Sequence, residues 1–359
     1  MRVAINALGV TNRSGTGRYA WGLIHGFIQL APPDLSLSVL IPSDFPIPSE
    51  WHHSTQARFY SIPTGGTWQR IVWEQWFLPA WLKKIQPDLL HSPAFIAPVL
   101  RSVKAKQVVT VHDLAFRLYP QTIPRARRWY YAWAIPASIR RADAVLSDSQ
   151  TVADEIRRYF PSTRRVIPIP LGVDTRRFQL ESWEEDQAVL ARYRINTPYL
   201  LFVGTREPRK NLDTLLKAYA EARRQGLKLD LVIAGRLGWM MDEPSLPGVR
   251  LPGHVEEDAV PALYRHARAV IAPSLYEGFD LPASEALACG APVLASDIPV
   301  HHEVLGDRVR YVPPDNVTEW TNALLGLEKI PRAVPPAPVR DWQEVALETW
   351  QAYQGITAY

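Results

Sequence analysis

Short apolar runs punctuate the chain, and between most of them apolar residues recur at helical spacing. Residues 2–8 (RVAINAL) predict a first strand and residues 19–30 an amphipathic helix. Further strands are predicted at 35–41, at 87–93 (PDLLHSP), at 107–116 (QVVTVHDLAF) and in DAVLSDS, with a last one at 165–170. The rhythm then restarts. PYLLFVG (198–204), LDLVIAG (229–235), VRLPGHV (249–255), ARAVIA and APVLAS read as strands, with a helix at 212–225. Strands alternating with helices predict an α/β chain with a parallel sheet in each half. Each half has the size and rhythm of a Rossmann-like, doubly wound domain. The expected division is residues 1–172, residues 173–338, and a closing amphipathic helix within 339–359 after the proline-rich VPPAPVR; LGVD (171–174) reads as the hinge.

Two segments carry unusual numbers of aromatic residues. TWQRIVWEQWFLPAWLKKI places Trp68, Trp73, Trp76 and Trp81 at roughly helical spacing, which predicts an aromatic stripe facing a core. The adjacent Lys83 and Lys84 leave interfacial docking open. RARRWYYAWAIPASIRR (125–141) reads as a solvated basic helix face that packs its rings inward.

Composition narrows the class. The chain has 359 residues, 47% apolar and 21% charged, which is a globular balance with room for two domains. Its 40 basic and 36 acidic residues nearly cancel, leaving +4, so a nucleic-acid partner is not expected. One cysteine, Cys289, excludes an intrachain disulfide framework and fits a reducing, cytoplasmic compartment. The start, MRVAINALGV, lacks the apolar core of a secretory signal. No uninterrupted apolar run reaches the ~18 residues of a spanning helix.

The chemistry is concentrated at strand ends, where doubly wound sheets bind ligands. PSLYEGFDLPASEALACGAP (273–292) reads as a strand end, a loop with Glu277 and Gly278, and a helix from Pro282 to near Gly290. Glu277 and Glu285 stand eight positions apart, Glu285 in the expected first turn, where the helix dipole favours an acid. In TREPRKN, Arg206 and Lys210 precede a helix with Asn211 as the expected N-cap. Bases at a helix start make most sense where an anion completes the site. His91 and His112 end two strands of the first half. Gly15-Thr16-Gly17-Arg18-Tyr19-Ala20 formally matches a dinucleotide fingerprint, but too far from its strand and without a placed ribose acid.

The string EGFDLPASEALACG resembles the Glu-x7-Glu signature of glycosyltransferase family 4, with Asp280 standing where that family usually has glycine. SGTGRY, LLHSP, TVHDL, LGVD, GTREPRKNL and the closing DWQEVALETWQAY are similar to other motifs of the family, so the resemblance spans the chain. It implies the GT-B fold, two Rossmann-like domains facing a central cleft, and retaining transfer of a sugar from a nucleotide-diphosphate donor. It implies a diphosphate held by Arg206 and Lys210, Glu277 on the donor sugar, Glu285 on the ribose and His112 on the sugar from the first domain. Backbone of the loop Gly278, Phe279, Asp280 and Leu281, together with Val255, Gly15 and Gly17, completes the donor side, and His91 and Arg18 lie toward the acceptor. No cofactor or metal is implied. SGxGRY with TVHDL resembles mannosyltransferase-like members, which points to GDP-mannose and a glycan or lipid-linked acceptor. Weak peripheral contact with the inner face of an anionic membrane, through 68–84 and 125–141, is the corresponding expectation. A GT-B nucleotide-sugar epimerase and, from GTGRYA, an NAD-dependent oxidoreductase are the competing readings. A noncatalytic nucleotide-sugar sensor ranks behind both.

Overall fold

The computed structural model describes the chain except residues 11–14, 65, 101–103, 124, 182–183, 237, 239–245, 328–338 and 359, and the side chains of 122 and 125–127. Most of the expected proline-rich connection and the stretch ahead of Gly15 lie outside the described residues. The chain divides into two compact units, Met1–Gly172 with Arg340–Tyr359, and Val173–Val339.

The first unit is a seven-stranded parallel sheet. Its strands are β1 (Arg2–Asn6), β2 (Ser36–Pro42), β3 (Ala57–Ile62), β4 (Leu89–Ser92), β5 (Lys106–Val111), β6 (Ala144–Ser147) and β7 (Val166–Pro168), in the order β3-β2-β1-β4-β5-β6-β7. The second unit has β8 (Tyr199–Val203), β9 (Asp230–Ala234), β10 (Val249–Gly253), β11 (Ala269–Ala272), β12 (Val293–Ser296) and β13 (Arg310–Val312), ordered β10-β9-β8-β11-β12-β13. In each sheet the winding reverses once, between β1 and β4 and between β8 and β11. That reversal leaves a crevice at the carboxyl ends of those two strands.

The sequence explains why both sheet faces are covered. In the second unit Leu201, Val232 and Val270 point into one core while Leu200, Leu231 and Ile271 point into the other. Successive side chains alternate across a strand, so near-continuous apolar runs are what a sheet buried on both sides needs.

The closing helix, Trp342–Thr357, belongs to the first unit and starts on a capping box: Glu344 N donates to Asp341 Oδ1 and Asp341 N to Glu344 Oε2, each at 2.9 Å. It lies on the helix Gly15–Leu30, where glycines permit close approach. A Cβ on Gly22 would come within 2.2 Å of the Trp342 ring, and one on Gly26 within 2.1 Å of the Trp342 carbonyl oxygen.

Four expectations need correction. The edge strands β3 and β13 were not expected; each pairs on one side only, and β13 has just three residues. The first helix begins at Gly15, not Tyr19, so GTGRYA forms its opening turns. Of the tryptophans in 67–85, Trp73 and Trp81 pack on the core while Trp68 and Trp76 are exposed, with Phe77 beside them. A π-helical turn, Trp73–Phe77, interrupts the helix there. In the helix Arg125–Arg141 the rings do not all turn inward: Trp129 is 86% exposed and Trp133 is half-exposed.

Candidate functional site

In the second unit, the loops leaving β8 and β11 meet at the winding reversal. Pro208–Lys210 form a single 3-10 turn that aims two bases at the β11 loop. Arg209 Nη1 donates to Glu277 Oε2 at 2.7 Å and to the Tyr276 carbonyl at 2.7 Å. Lys210 Nζ donates to Glu277 Oε1 at 2.5 Å, and Ser274 Oγ to the same oxygen at 2.6 Å. Burial alone would raise the pKa of Glu277, but Arg209 and Lys210, with the hydrogen bonds from Lys210 and Ser274, hold it well below the usual carboxylate range. Arg206 is buried in the same loop.

Asn211 occupies the N-cap position but does not cap. It stands in left-handed backbone, φ 57°, and its Nδ2 donates to the carbonyls of Pro273 (3.0 Å) and Pro314 (2.6 Å), tying the β8 loop to the end of β11. Glu285 is also displaced from expectation. The helix is Leu281–Ala288, so this acid is its fifth residue, past the first turn. Its side chain is buried, and Tyr264 Oη donates to Oε2 at 3.2 Å.

Asp280 takes the left-handed conformation, φ 72°, that glycine would take freely. It is buried, and His301 Nε2 donates to Oδ2 at 3.0 Å. Gly278, Phe279 and Leu281 are buried alongside it in the same loop. The side chain of Val255 is buried, packed in the cluster that contains Ala283 and Leu287.

The first unit gathers its candidates at the corresponding edge. His112, just past β5, donates from Nδ1 to Asp148 Oδ2 and from Nε2 to the Pro93 carbonyl, both at 2.8 Å. Burial would lower its pKa; the charge and hydrogen bond of Asp148, with the Pro93 bond, raise it above the ordinary histidine value. Tyr19, from the opening helix, packs edge-on against His112 with ring centroids 4.9 Å apart. Gly15 is exposed at that helix start, Gly17 buried and Arg18 half-buried.

His91, expected toward the acceptor, is fully buried instead. Its Nε2 lies 2.7 Å from Thr110 Oγ1 and its Nδ1 2.6 Å from the Tyr353 hydroxyl of the closing helix. Tyr19 Oη meets the same Thr110 hydroxyl at 2.9 Å. Burial, then the charge of His112, push its pKa down to about 3. His91 therefore holds the closing helix to the sheet.

The reading of motifs missed Arg209, Ser274, Asp148 and His301 as functional neighbours. Arg209 sits beside Lys210 within TREPRKN and Asp148 directly follows a strand, so position was the available signal for these; His301, inside the helix Pro299–Leu305, had none. Among the described residues no group of three or more His, Cys, Asp or Glu could hold a metal ion.

Comparison with known proteins assigns the geometry to a class. A family model described as Glycosyltransferase Family 4 matches residues 13–177, and one described as Glycosyl transferases group 1 matches residues 197–329. The chain is 31% identical over 253 residues to "O-antigen chain mannosyltransferase B" of Escherichia coli, covering 66% of this chain and 65% of that protein. It is 28% identical to "O-antigen chain mannosyltransferase RfbU" of Salmonella typhimurium, over 66% of this chain and 64% of the relative. The chain thus spans slightly under two thirds of these relatives. In fold it is similar to sucrose-phosphate synthase from Thermosynechococcus elongatus, with a TM-score of 0.72 and 19% identity over 100% and 99% of the two chains. A structure of Anabaena Alr3699/HepE in complex with UDP and glucose aligns with a TM-score of 0.71 and 14% identity over 99% and 100%. The two units are the Rossmann-like halves of a GT-B fold. The chain thus matches the family 4 model in its first half and the group 1 model in its second, and has mannosyltransferases among its relatives.

Proposed function

We propose that this chain transfers a hexose, mannose from GDP-mannose, to a hydroxyl of a glycan or lipid-linked acceptor with retention of configuration. The second unit holds the nucleotide and the first presents the acceptor. The observation that carries the reading is the convergence of Arg209 and Lys210 on Glu277 at the winding reversal of the second sheet, with Arg206 buried in the same loop. Bases clustered there suit a nucleotide diphosphate, whose charge they offset as the sugar departs. The O-antigen mannosyltransferases among the relatives support mannose as the sugar.

In this reading Arg206 and Lys210 engage the diphosphate, Glu277 positions the sugar, Glu285 the ribose, and His112 approaches the sugar from the first unit. Purified protein offered GDP-mannose, UDP-glucose and ADP-glucose, with a glycan acceptor, should release nucleotide chiefly from GDP-mannose. Preferential turnover of another donor would reject the donor assignment; turnover of none would reject the activity.

We also infer weak peripheral contact of the first unit with anionic membrane. Trp68, Val72, Trp76 and Phe77 on one segment and Trp129 and Trp133 on another are exposed, with Lys83 and Lys84 near the first group. Tryptophans near bases suit the level of lipid headgroups. No helix among the described residues is long and apolar enough to cross a membrane.

A further inference from the structure

Asp280 is a carboxylate that a glycine-bearing loop would not contain, and it is placed awkwardly. Its side chain is 4% exposed, in left-handed backbone, three positions from the equally buried Glu277. Two buried carboxylates in one loop oppose an anionic donor and each other.

His301, completely buried in the helix Pro299–Leu305, meets this carboxylate with a defined protonation state. Nε2 is 3.0 Å from Asp280 Oδ2, and Nδ1 is 2.8 Å from the Ser296 carbonyl oxygen. Both partners are acceptors without a hydrogen to give. A neutral imidazole has a single N–H and would set a ring lone pair against one of them, so the ring carries both protons.

The pair is also wired to Glu277. Ser296 Oγ lies 3.3 Å from His301 Nδ1 and donates to the Ser274 carbonyl at 2.5 Å, while Ser274 Oγ donates to Glu277 Oε1 at 2.6 Å. Counting charges, Glu277, Asp280 and Glu207, which accepts from Arg209 Nη2 at 2.7 Å, stand against Arg209, Lys210 and His301. With the imidazolium the charges balance; without it the cluster is negative by one, which opposes an anionic donor.

We propose that His301 is a positioning residue of the donor site: its imidazolium neutralises Asp280 and, through Ser296 and Ser274, holds the loop around Glu277 in the form that accepts a nucleotide diphosphate. The proposal rests on the sugar-transfer reading, with Asp280 and His301 as one unit. His301 touches no reacting atom.

The test is a double-mutant cycle read by nucleoside-diphosphate affinity and by transfer. Wild type is titrated with GDP, UDP and ADP by calorimetry, and the tightest of these is carried through His301→Leu, Asp280→Gly and the double variant, each checked for folding by circular dichroism. His301→Leu leaves an uncompensated buried carboxylate and should weaken binding about tenfold or more. The double variant, lacking that carboxylate, should bind about tenfold more tightly than His301→Leu alone, a coupling expected only of interacting sites. Transfer should recover less than binding, because the link through Ser296 stays broken. Should His301→Leu fail to fold, His301→Gln, alone and with Asp280→Gly, serves the same comparison. Equal losses in the single and double variants, or wild-type affinity in His301→Leu, overturn this proposal alone. Failure of wild type to bind any of the three nucleotides overturns the sugar-transfer reading with it.

Discussion

Lys210 pairs with the buried Glu277, Nζ to Oε1 at 2.5 Å, with Arg209 on the other carboxylate oxygen at 2.7 Å. The charge of Lys210 is therefore shared between Glu277 and any diphosphate that enters. Substituting Glu277→Gln removes the anion beside two half-buried cations, of which Arg209 keeps its bond to Glu207, so the loss of stability should be smaller than the roughly 3–5 kcal/mol of breaking a fully buried pair. A nucleoside diphosphate can take the vacated role. We expect its affinity to be unchanged or tighter and the melting temperature of the variant to rise more on adding it than that of wild type. Transfer should fall about a hundredfold or more, since positioning the reacting sugar counts chiefly in the transition state. Weaker nucleotide binding by Glu277→Gln would reject the division between sugar and diphosphate.

Glu285 is expected to behave differently. Glu285→Gln should weaken donor, product and free nucleotide alike, by about 1–3 kcal/mol for the loss of charged hydrogen bonds to ribose. Tyr264→Phe removes only the hydroxyl that donates to Glu285 at 3.2 Å. If the acid serves Tyr264 alone, the two variants should lose similar stability and neither should lose nucleotide affinity. Calorimetric titration of both settles the role.

The three buried histidines show what pattern alone conveys and what it does not. The places of His91 and His112 at strand ends were legible in LLHSP and TVHDL; that of His301, inside the helix Pro299–Leu305, was not. Nor was their protonation, because it depends on the partners brought from afar. His91 faces two hydroxyls, each able to give or take a hydrogen, and stays neutral; His112 and His301 face only acceptors. Asp280 and His301 are 21 positions apart in sequence, beyond any local spacing rule. Similarly, periodicity locates the aromatic helix at 67–85 but assumes a constant turn. The π turn Trp73–Phe77 is wider than an α turn and rotates the stripe, which leaves Trp76 and Phe77 outside.

Neutral His91 makes stability depend on pH. Its folded pKa lies near 3, below the ordinary 6.5, so the unfolded chain binds the additional proton between those values. The stabilisation is present above about pH 6.5 and is lost as pH falls toward 3. Wild type should therefore lose stability between pH 6.5 and 4.5 more steeply than His91→Gln, measured by urea unfolding at each pH. Equal slopes would show that His91 does not titrate as its partners imply.

Gly26→Ala tests how the closing helix is seated. In an exposed helix the substitution would gain about 1 kcal/mol of helix propensity. Here the new Cβ would lie 2.1 Å from the Trp342 carbonyl oxygen, a backbone atom that cannot rotate away. Overpacking typically costs about 1–3 kcal/mol, so the clash should outweigh the propensity. We expect a lower melting temperature, and a stabilised variant would mean the helix is not held this closely.

The exposed tryptophans give the last prediction. Trp129 is 86% exposed and Trp68 is 68% exposed, and solvent contact of that extent has no use in a core. If these rings enter a headgroup layer, the protein should co-sediment with vesicles containing phosphatidylglycerol at low salt and less with phosphatidylcholine alone. Raising salt should weaken the attraction of the bases, since the screening length falls to about 10 Å at 0.1 M. Trp68→Ser with Trp129→Ser should lower binding several-fold at every salt concentration, because each buried ring contributes apolar area at roughly 25 cal/mol per Å². Turnover of a soluble acceptor should be unaffected, separating membrane contact from the site in the second unit. Absence of sedimentation with anionic vesicles at low salt would remove the membrane from the account.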